Sequence, residues 1–415
     1  MNRRQFLLSA AALGLSSSAV AGIRLWPESG FANPCLSGLP DELKNHPLMA
    51  KVWAGIDASQ VWDCHAHIIG AGDSGSGAWF NPNMESWMHP ILKVQKNFYM
   101  NGGCIVEHNE DASFVTRMTQ LASEMPHGYK TMLFAFDWFR DEQGVADSKS
   151  SIFHVPNEYA AKIANQYPQY FQWVASIHPY RPDAIDAVEK AHSEGACAIK
   201  WLPTGMNIDP ASPKCAKFYQ KLHDLDMPII SHTGRESAVK VGNQAFGNPL
   251  KMRKALDSGV CVVLAHCASD GDDEDLDHNN KSVKSFDLFT RMMDTPAYQN
   301  LVFGEISAIT LFNHAWVIKP LLSRTDWHSR LLNGTDYPLP AILPLISTKQ
   351  LYRDGLLEES HLLFLQTLRN YNPLMFDFAV KRLIQWQGVG FSNETFETRR
   401  VFDRKVVDTK AKTQT

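Results

Sequence analysis

The chain has 415 residues, 44% hydrophobic and 20% charged, with 40 Lys and Arg against 44 Asp and Glu for a net charge of −4. With 11 Trp and 22 Phe it carries ample apolar surface for a large core, which excludes a disordered chain, a collagen-like repeat and a small disulfide scaffold. No basic run supplies the footprint of a nucleic-acid binder, so nucleic acid is not an expected partner.

The first 21 residues read as an export signal. A charged start, Asn2-Arg3-Arg4-Gln5-Phe6-Leu7-Leu8, leads into a short apolar run and then Ala19-Val20-Ala21, a small-x-small cleavage site. The Arg-Arg-x-Phe-Leu core resembles a twin-arginine signal, which implies the twin-arginine export machinery as a partner and the periplasm as destination. The apolar run is too short, and too rich in Ser and Gly, to span a bilayer well. Seven cysteines follow: Cys35, Cys64, Cys104, Cys197, Cys215, Cys261 and Cys267. No CxxC pair offers a metal knuckle or redox site, and most read as small buried hydrophobes. Bridges Cys35–Cys104 and Cys104–Cys215 stay open as alternatives in an oxidising compartment.

Eight short apolar, β-branched runs recur along the chain: Val61–Ile68, Lys130–Phe136, Phe171–His178, Cys197–Leu202, Pro228–Thr233, Val260–His266, Leu301–Ile306 and Arg330–Gly334. From the fourth onward they start roughly every 30–40 residues, the length of one βα unit. Continuous apolar strands are what a parallel sheet covered on both faces requires, and eight of them predict a (β/α)8 barrel. A long insertion follows the first strand. It opens with Gly70-Ala71-Gly72-Asp73-Ser74-Gly75-Ser76-Gly77, read as a flexible loop, holds a helix near residues 113–124, and places Trp79, Phe80 and Trp87 as candidate lid residues. Helices are predicted around 346–356 and 361–367, and another after Asn372-Pro373. The predicted organisation is a signal over 1–21, an N-terminal extension over 22–60, one barrel domain over 61–400 and a flexible tail over 401–415.

Polar residues cluster at strand ends. In Asp63-Cys64-His65-Ala66-His67 the two histidines are two apart, so on a strand they share one face. Lys200, His232, His266 and Asp336 each close a later apolar run, the last in Asn333-Gly334-Thr335-Asp336-Tyr337-Pro338. Barrel enzymes place their sites at this end of the strands. Imidazoles plus carboxylate are the ligands that Zn2+ prefers.

This ordered set, a strand-ending His-x-His, a Lys, two further His and a final Gly-x-Asp-Tyr-Pro, resembles the amidohydrolase superfamily, especially its amidohydrolase-related branch of metal-dependent hydrolases and decarboxylases. The resemblance runs from Val61 to Pro338. It implies His65, His67, His232 and Asp336 as metal ligands, with one or two divalent ions. It implies His266 as a second-metal ligand or the residue that orients the attacking water. Asp336 would also act as general base, so that Asp336, His266 and Lys200 form the catalytic set. Lys200 has two readings, a carbamate bridging two ions or a cation facing a substrate anion beside one ion. His178, Arg181 and Arg235 are further candidates for substrate contact, each with a structural alternative, and Glu305 lies on strand seven with its direction open. Asp270-Gly271-Asp272-Asp273-Glu274-Asp275 lacks full calcium-loop spacing and reads as a solvated acidic loop. The expected activity is attack of metal-activated water on a small amide, ester or lactone. The alternatives are a nonoxidative metal-dependent decarboxylase and a barrel that binds without catalysis. Association into a homo-oligomer stays open.

Overall fold

A computed structural model describes residues 30–237 and 242–403. The signal segment over 1–21 and residues 404–415 of the expected tail lie outside the described residues.

Each of the eight apolar runs carries one barrel strand: β1 (Trp62–His67), β2 (Lys130–Phe134), β3 (Phe171–Val174), β4 (Ile199–Trp201), β5 (Ile229–His232), β6 (Val262–Ala265), β7 (Val302–Glu305) and β8 (Leu331–Leu332). All neighbours pair in parallel. Two seams close the ring. Ala175, just past β3, donates to Ala198 O at 3.0 Å, and Lys200 N donates back to Ala175 O at 2.7 Å. At the other seam Asp336 N donates to His65 O at 2.7 Å and His67 N to Tyr337 O at 2.9 Å, joining the loop after β8 to β1. The fold is a (β/α)8 barrel of eight parallel strands.

Two apolar layers follow from the period of two along each strand. Trp62, Cys64, Met132, Phe134, Val174, Ala198, Ile230, Val263 and Leu332 fill the barrel interior, while the other strand faces join the larger core under the helices. Val401 and Phe402, assigned to the flexible tail by sequence, are buried among these interior residues. The ordered chain therefore reaches further than the predicted domain end, because those two side chains find apolar partners there.

β1 departs from regular pairing. Asp63 pairs with Thr131 but Ala66 pairs with Leu133, so β1 spends one extra residue against β2, a β-bulge. Trp62 and Cys64 point into the interior below the bulge, Ala66 packs outward, and His65 and His67 stand in the central cavity above it. Without the extra residue the histidines would alternate with Trp62 and Cys64 and face the helices.

The glycine-rich segment after β1 is not a free loop. Asp111, one residue into the helix Glu110–Ser123, accepts from Ala71 N at 2.7 Å, Gly72 N at 3.1 Å and the Ser74 hydroxyl at 2.6 Å. A helix the sequence did not announce, Pro90–Gly102, crosses the mouth of the barrel. A disulfide, Cys35–Cys104, fastens the chain just beyond that helix to the N-terminal segment. Cys215 is a buried free thiol, which removes the Cys104–Cys215 alternative. The C-terminal helices lie at Thr348–Arg353, Leu362–Tyr371 and Pro373–Leu383, the last capped by the Asn372 side chain accepting from Met375 N at 3.0 Å.

Candidate metal centre

The C-terminal ends of the strands open into a cavity of about 790 Å³. His65, His67, Lys200, His232, His266 and Asp336 all line it, so the six strand-end residues singled out from sequence meet in one place. Lys200 and His232 continue the inward alternation set by Ala198 and Ile230 below them. His266 does not. It follows Ala265 in a left-handed turn, with positive φ at His266, Cys267 and Ala268, which swings its imidazole in over the strand end. Asp336 also has positive φ, 57°. Non-glycine residues in this conformation are uncommon and concentrate at functional sites.

Asp336 is held by its neighbours in the chain. Asp63 accepts from Thr335 N at 2.8 Å and from the Thr335 hydroxyl at 2.6 Å, and so stitches β1 to the loop carrying Asp336. Gly334 must be glycine, because a Cβ there would lie 2.6 Å from His65 Cβ and 2.8 Å from a Glu305 carboxylate oxygen.

Asp336 Oδ1 lies 3.1 Å from His67 Nε2 and 3.4 Å from His65 Nε2. Ligands held by one zinc at tetrahedral angles sit about 3.3 Å apart, given bonds near 2.0–2.1 Å. These three donors have the spacing and chemistry of a divalent-metal site, and their ligand atoms all fall within 4.8 Å of one another. A second group, His65, His266 and Glu305, meets the same distance test. There, however, His65 Nδ1 and Glu305 Oε2 are 2.9 Å apart, a hydrogen bond and closer than two ligands of one tetrahedral zinc. Burial pushes His65 down to about 4, so its imidazole is neutral near pH 7. Burial alone would raise the Asp336 carboxyl, but His65, His67 and His266 around it outweigh that and hold it well below the usual carboxylate range.

Lys200 donates to His65 Nε2 at 3.2 Å, and burial pushes its amine down to about 8. His266 Nε2 faces Asp336 Oδ2 at 3.9 Å. His232 turns away from the triad, with Nε2 at 3.4 Å from Arg235 O and 3.5 Å from Glu236. Arg235 lines the cavity.

His178 and Arg181 are corrections. The His178 ring is spent on Met206 O at 2.9 Å and on the Tyr180 N–H at 3.1 Å, and it does not line the central cavity. Arg181 pairs with Asp183 at 2.6 Å and Asp137 at 3.3 Å beside a separate outer pocket of about 420 Å³. Of the insertion aromatics, Trp79 and Phe80 line the cavity while Trp87 is exposed. The acidic run forms a hairpin, Asp272–Asp275 against Lys281–Lys284, in which Arg291 pairs with Asp275 at 2.6 Å. The sequence reading passed over His314, which lines the cavity with its Nδ1 at 2.5 Å from the Ser269 hydroxyl.

A family model described as Amidohydrolase (Amidohydro_2) matches residues 62–342, from the start of β1 to past the loop after β8. The chain belongs to the amidohydrolase family. That family is metal-dependent, in keeping with the donor set. No curated protein matches the sequence. Solved structures with similar folds include an uncharacterised TIM-barrel protein from Bordetella bronchiseptica (16% identity, TM-score 0.43, covering 71% of this chain and 90% of that one). Two others are a candidate 2-pyrone-4,6-dicarboxylic acid hydrolase from Pseudomonas putida (12%, 0.42, 67% and 82%) and a 5-carboxyvanillate decarboxylase from Sphingomonas paucimobilis (10%, 0.45, 83% and 98%).

Proposed function

We propose that this amidohydrolase hydrolyses a small amide, ester or lactone. The observation that carries this reading is the opposition of two acceptors, Asp336 Oδ2 and His266 Nε2, 3.9 Å apart beside the His65/His67/Asp336 triad. Two acceptors facing each other leave a slot for a donor, and a water molecule supplies O–H groups to both. His65, His67 and Asp336 would hold a divalent ion, zinc by donor chemistry, with His232 turning in where a fourth ligand is needed. Such an ion polarises a carbonyl and lowers the pKa of water.

Asp336 takes the proton as general base, because its carboxylate is kept ionised and already points one oxygen into the slot. Its other oxygen stays on the ligand histidines, so the base does not move while it works. His266, neutral through burial, accepts from the same water and aims it. The proton then passes from Asp336 to the leaving nitrogen or oxygen. Lys200, as a cation, pairs with an anionic group of the substrate or with its developing charge. Trp79, Phe80 and the helix Pro90–Gly102 cover the substrate from the solvent side.

Turnover in 18O-labelled water tests the reading after a screen of lactones, amides, esters and aromatic acids. Hydrolysis places one labelled oxygen in the acid product. Release of CO2 with an unlabelled product would overturn it in favour of the decarboxylase alternative.

We also propose export to the periplasm through the twin-arginine machinery. The Cys35–Cys104 disulfide supports it, since such bonds persist in oxidising compartments. Replacing Arg3 and Arg4 by Lys should strand the protein in the cytoplasm. Undiminished recovery from the periplasm would remove that route.

A further inference from the structure

Behind the triad, on the side away from the cavity, Glu305 closes β7 and is fully buried. Its Oε2 lies 2.9 Å from His65 Nδ1 and 2.8 Å from the Ser307 hydroxyl, with His266 N at 3.4 Å. Its Oε1 takes a very close hydrogen bond from Ser307 N. The Ser307 hydroxyl oxygen in turn lies 2.9 Å from His266 Nδ1 and 3.2 Å from His65 Nδ1. One carboxylate and one hydroxyl thus touch the hidden nitrogens of two imidazoles whose other nitrogens face the cavity.

The hydrogens in this cluster can be assigned by elimination. An ionised carboxylate only accepts, so His65 Nδ1 and the Ser307 hydroxyl both donate to Oε2. Lys200 donating to His65 Nε2 at 3.2 Å agrees, since that nitrogen must then carry a lone pair. With its hydrogen committed to Glu305, the Ser307 oxygen can only accept from His266 Nδ1. Ser307 O, a carbonyl and an obligate acceptor, lies 3.3 Å from the same nitrogen and makes the same demand. Both imidazoles are therefore protonated at Nδ1 and bare at Nε2.

We infer that Glu305 and Ser307 form a positioning relay in which the buried carboxylate sets the tautomer of His65 while the two Ser307 oxygens hold that of His266. His65 thereby offers the cavity a lone pair that can hold a cation, and His266 offers one that can accept from water. The relay rests on the proposed function only for what those lone pairs do. The hydrogen assignment itself is independent of any substrate.

Glu305→Gln separates this relay from ordinary packing. The amide has the same shape, and its oxygen must sit at the Oε1 position, because an NH2 there would oppose the Ser307 N–H at very short range. The NH2 group then occupies the Oε2 position and donates to His65 Nδ1 and to the Ser307 oxygen. His65 is forced to carry its hydrogen on Nε2. The Ser307 hydroxyl, now an acceptor from the amide, turns its hydrogen to the bare His65 Nδ1, 3.2 Å away, and the Ser307 carbonyl keeps His266 protonated at Nδ1. The double variant Glu305→Gln/Ser307→Ala removes the hydroxyl as well. His65 inverts there too, while the Ser307 carbonyl keeps His266 in its original form.

The measurement is 15N NMR of the full-length, metal-free protein labelled at histidine, where bare and protonated ring nitrogens resonate far apart. His65 and His266 are assigned by their loss in His65→Gln and His266→Gln. The expected results are Nδ1–H for both residues in the unaltered protein, and inversion of His65 alone in Glu305→Gln and in the double variant. Zinc affinity, measured by chelator competition, should fall about 10- to 100-fold in Glu305→Gln, the usual cost of losing a partner behind a ligand histidine. An Nε2–H form of either residue in the unaltered protein would overturn the inference, and that spectrum is decisive even where a variant fails to fold. So would an unchanged His65 tautomer in a folded Glu305→Gln. A result of CO2 release in the labelled-water experiment would defeat the hydrolase reading and leave these spectra untouched.

Discussion

Asp336 and Asp137 are both buried aspartates a few residues past a barrel strand, each beside a histidine and within reach of cations, yet they are built for different ends. Asp137 accepts from Trp138 N at 2.8 Å and Arg140 at 3.2 Å on one oxygen, and from His178 N at 2.9 Å and Arg181 at 3.3 Å on the other. A carboxylate has about four lone-pair sites, so these donors saturate it. Asp336 instead faces imidazole nitrogens at 3.1, 3.4 and 3.9 Å and keeps capacity for a ligand. The histidines differ in the same way: both ring nitrogens of His178 are engaged by backbone, whereas His266 keeps Nε2 toward the cavity. Residue type and burial are shared, and the count of fixed donors separates a structural carboxylate from a reactive one.

Substitutions at the two aspartates should therefore give opposite patterns. Asp336→Asn removes the proton acceptor, and kcat should fall at least about 10³-fold with little change in unfolding midpoint. Retention of more than a tenth of the wild-type kcat would contradict the base assignment. Lys200→Ala comes next, with an expected loss of roughly 10- to 100-fold in kcat/KM, greatest for anionic substrates, at unchanged metal content. Loss of metal that short carboxylic acids restore would show that Lys200 instead carries a bridging carbamate. Asp137→Asn should have the smallest effect on turnover, under about threefold, because none of the four residues that donate to its carboxylate lines the cavity. Its cost belongs to stability: an amide opposed to two guanidinium groups and two N–H donors should lower the unfolding free energy by about 3–5 kcal/mol in denaturant titration. A variant with wild-type stability and impaired kcat would erase the distinction drawn between the two carboxylates.

The barrel was legible because each strand is a short apolar run, and a parallel sheet under helices needs little else. Lys200 and His232 were legible for a related reason, since each falls on the inward parity of its own strand, whereas Asp336 lies past β8 in a left-handed turn and was legible only through its motif. Glu305 sits on the same parity above Phe303, so counting residues along β7 would have settled its direction. His178 and Arg181 satisfied the same positional rule and still proved structural. Their partners, Met206 O and Asp137, come from distant loops that no local pattern announces. The holding of the glycine-rich segment by Asp111 was hidden likewise, as it depends on a contact across some forty residues. Neither the bulge in β1 nor the left-handed turn at His266 has a compositional mark, and neither site contains the glycine that usually signals such geometry.

The bulge has a practical meaning for anyone wishing to move this chemistry elsewhere. Copying Asp63-Cys64-His65-Ala66-His67 onto an ideal strand would preserve the letters and lose the site, because an even pleat that keeps Cys64 in the plug sends both imidazoles into the helical shell. The single surplus residue acts as a phase boundary: below it the strand is written for packing, above it for coordination. Each half can drift without disturbing the other, provided the count between them is conserved. Insertions and deletions at residues 63–66 should thus disturb this site more than many substitutions among the side chains that line it.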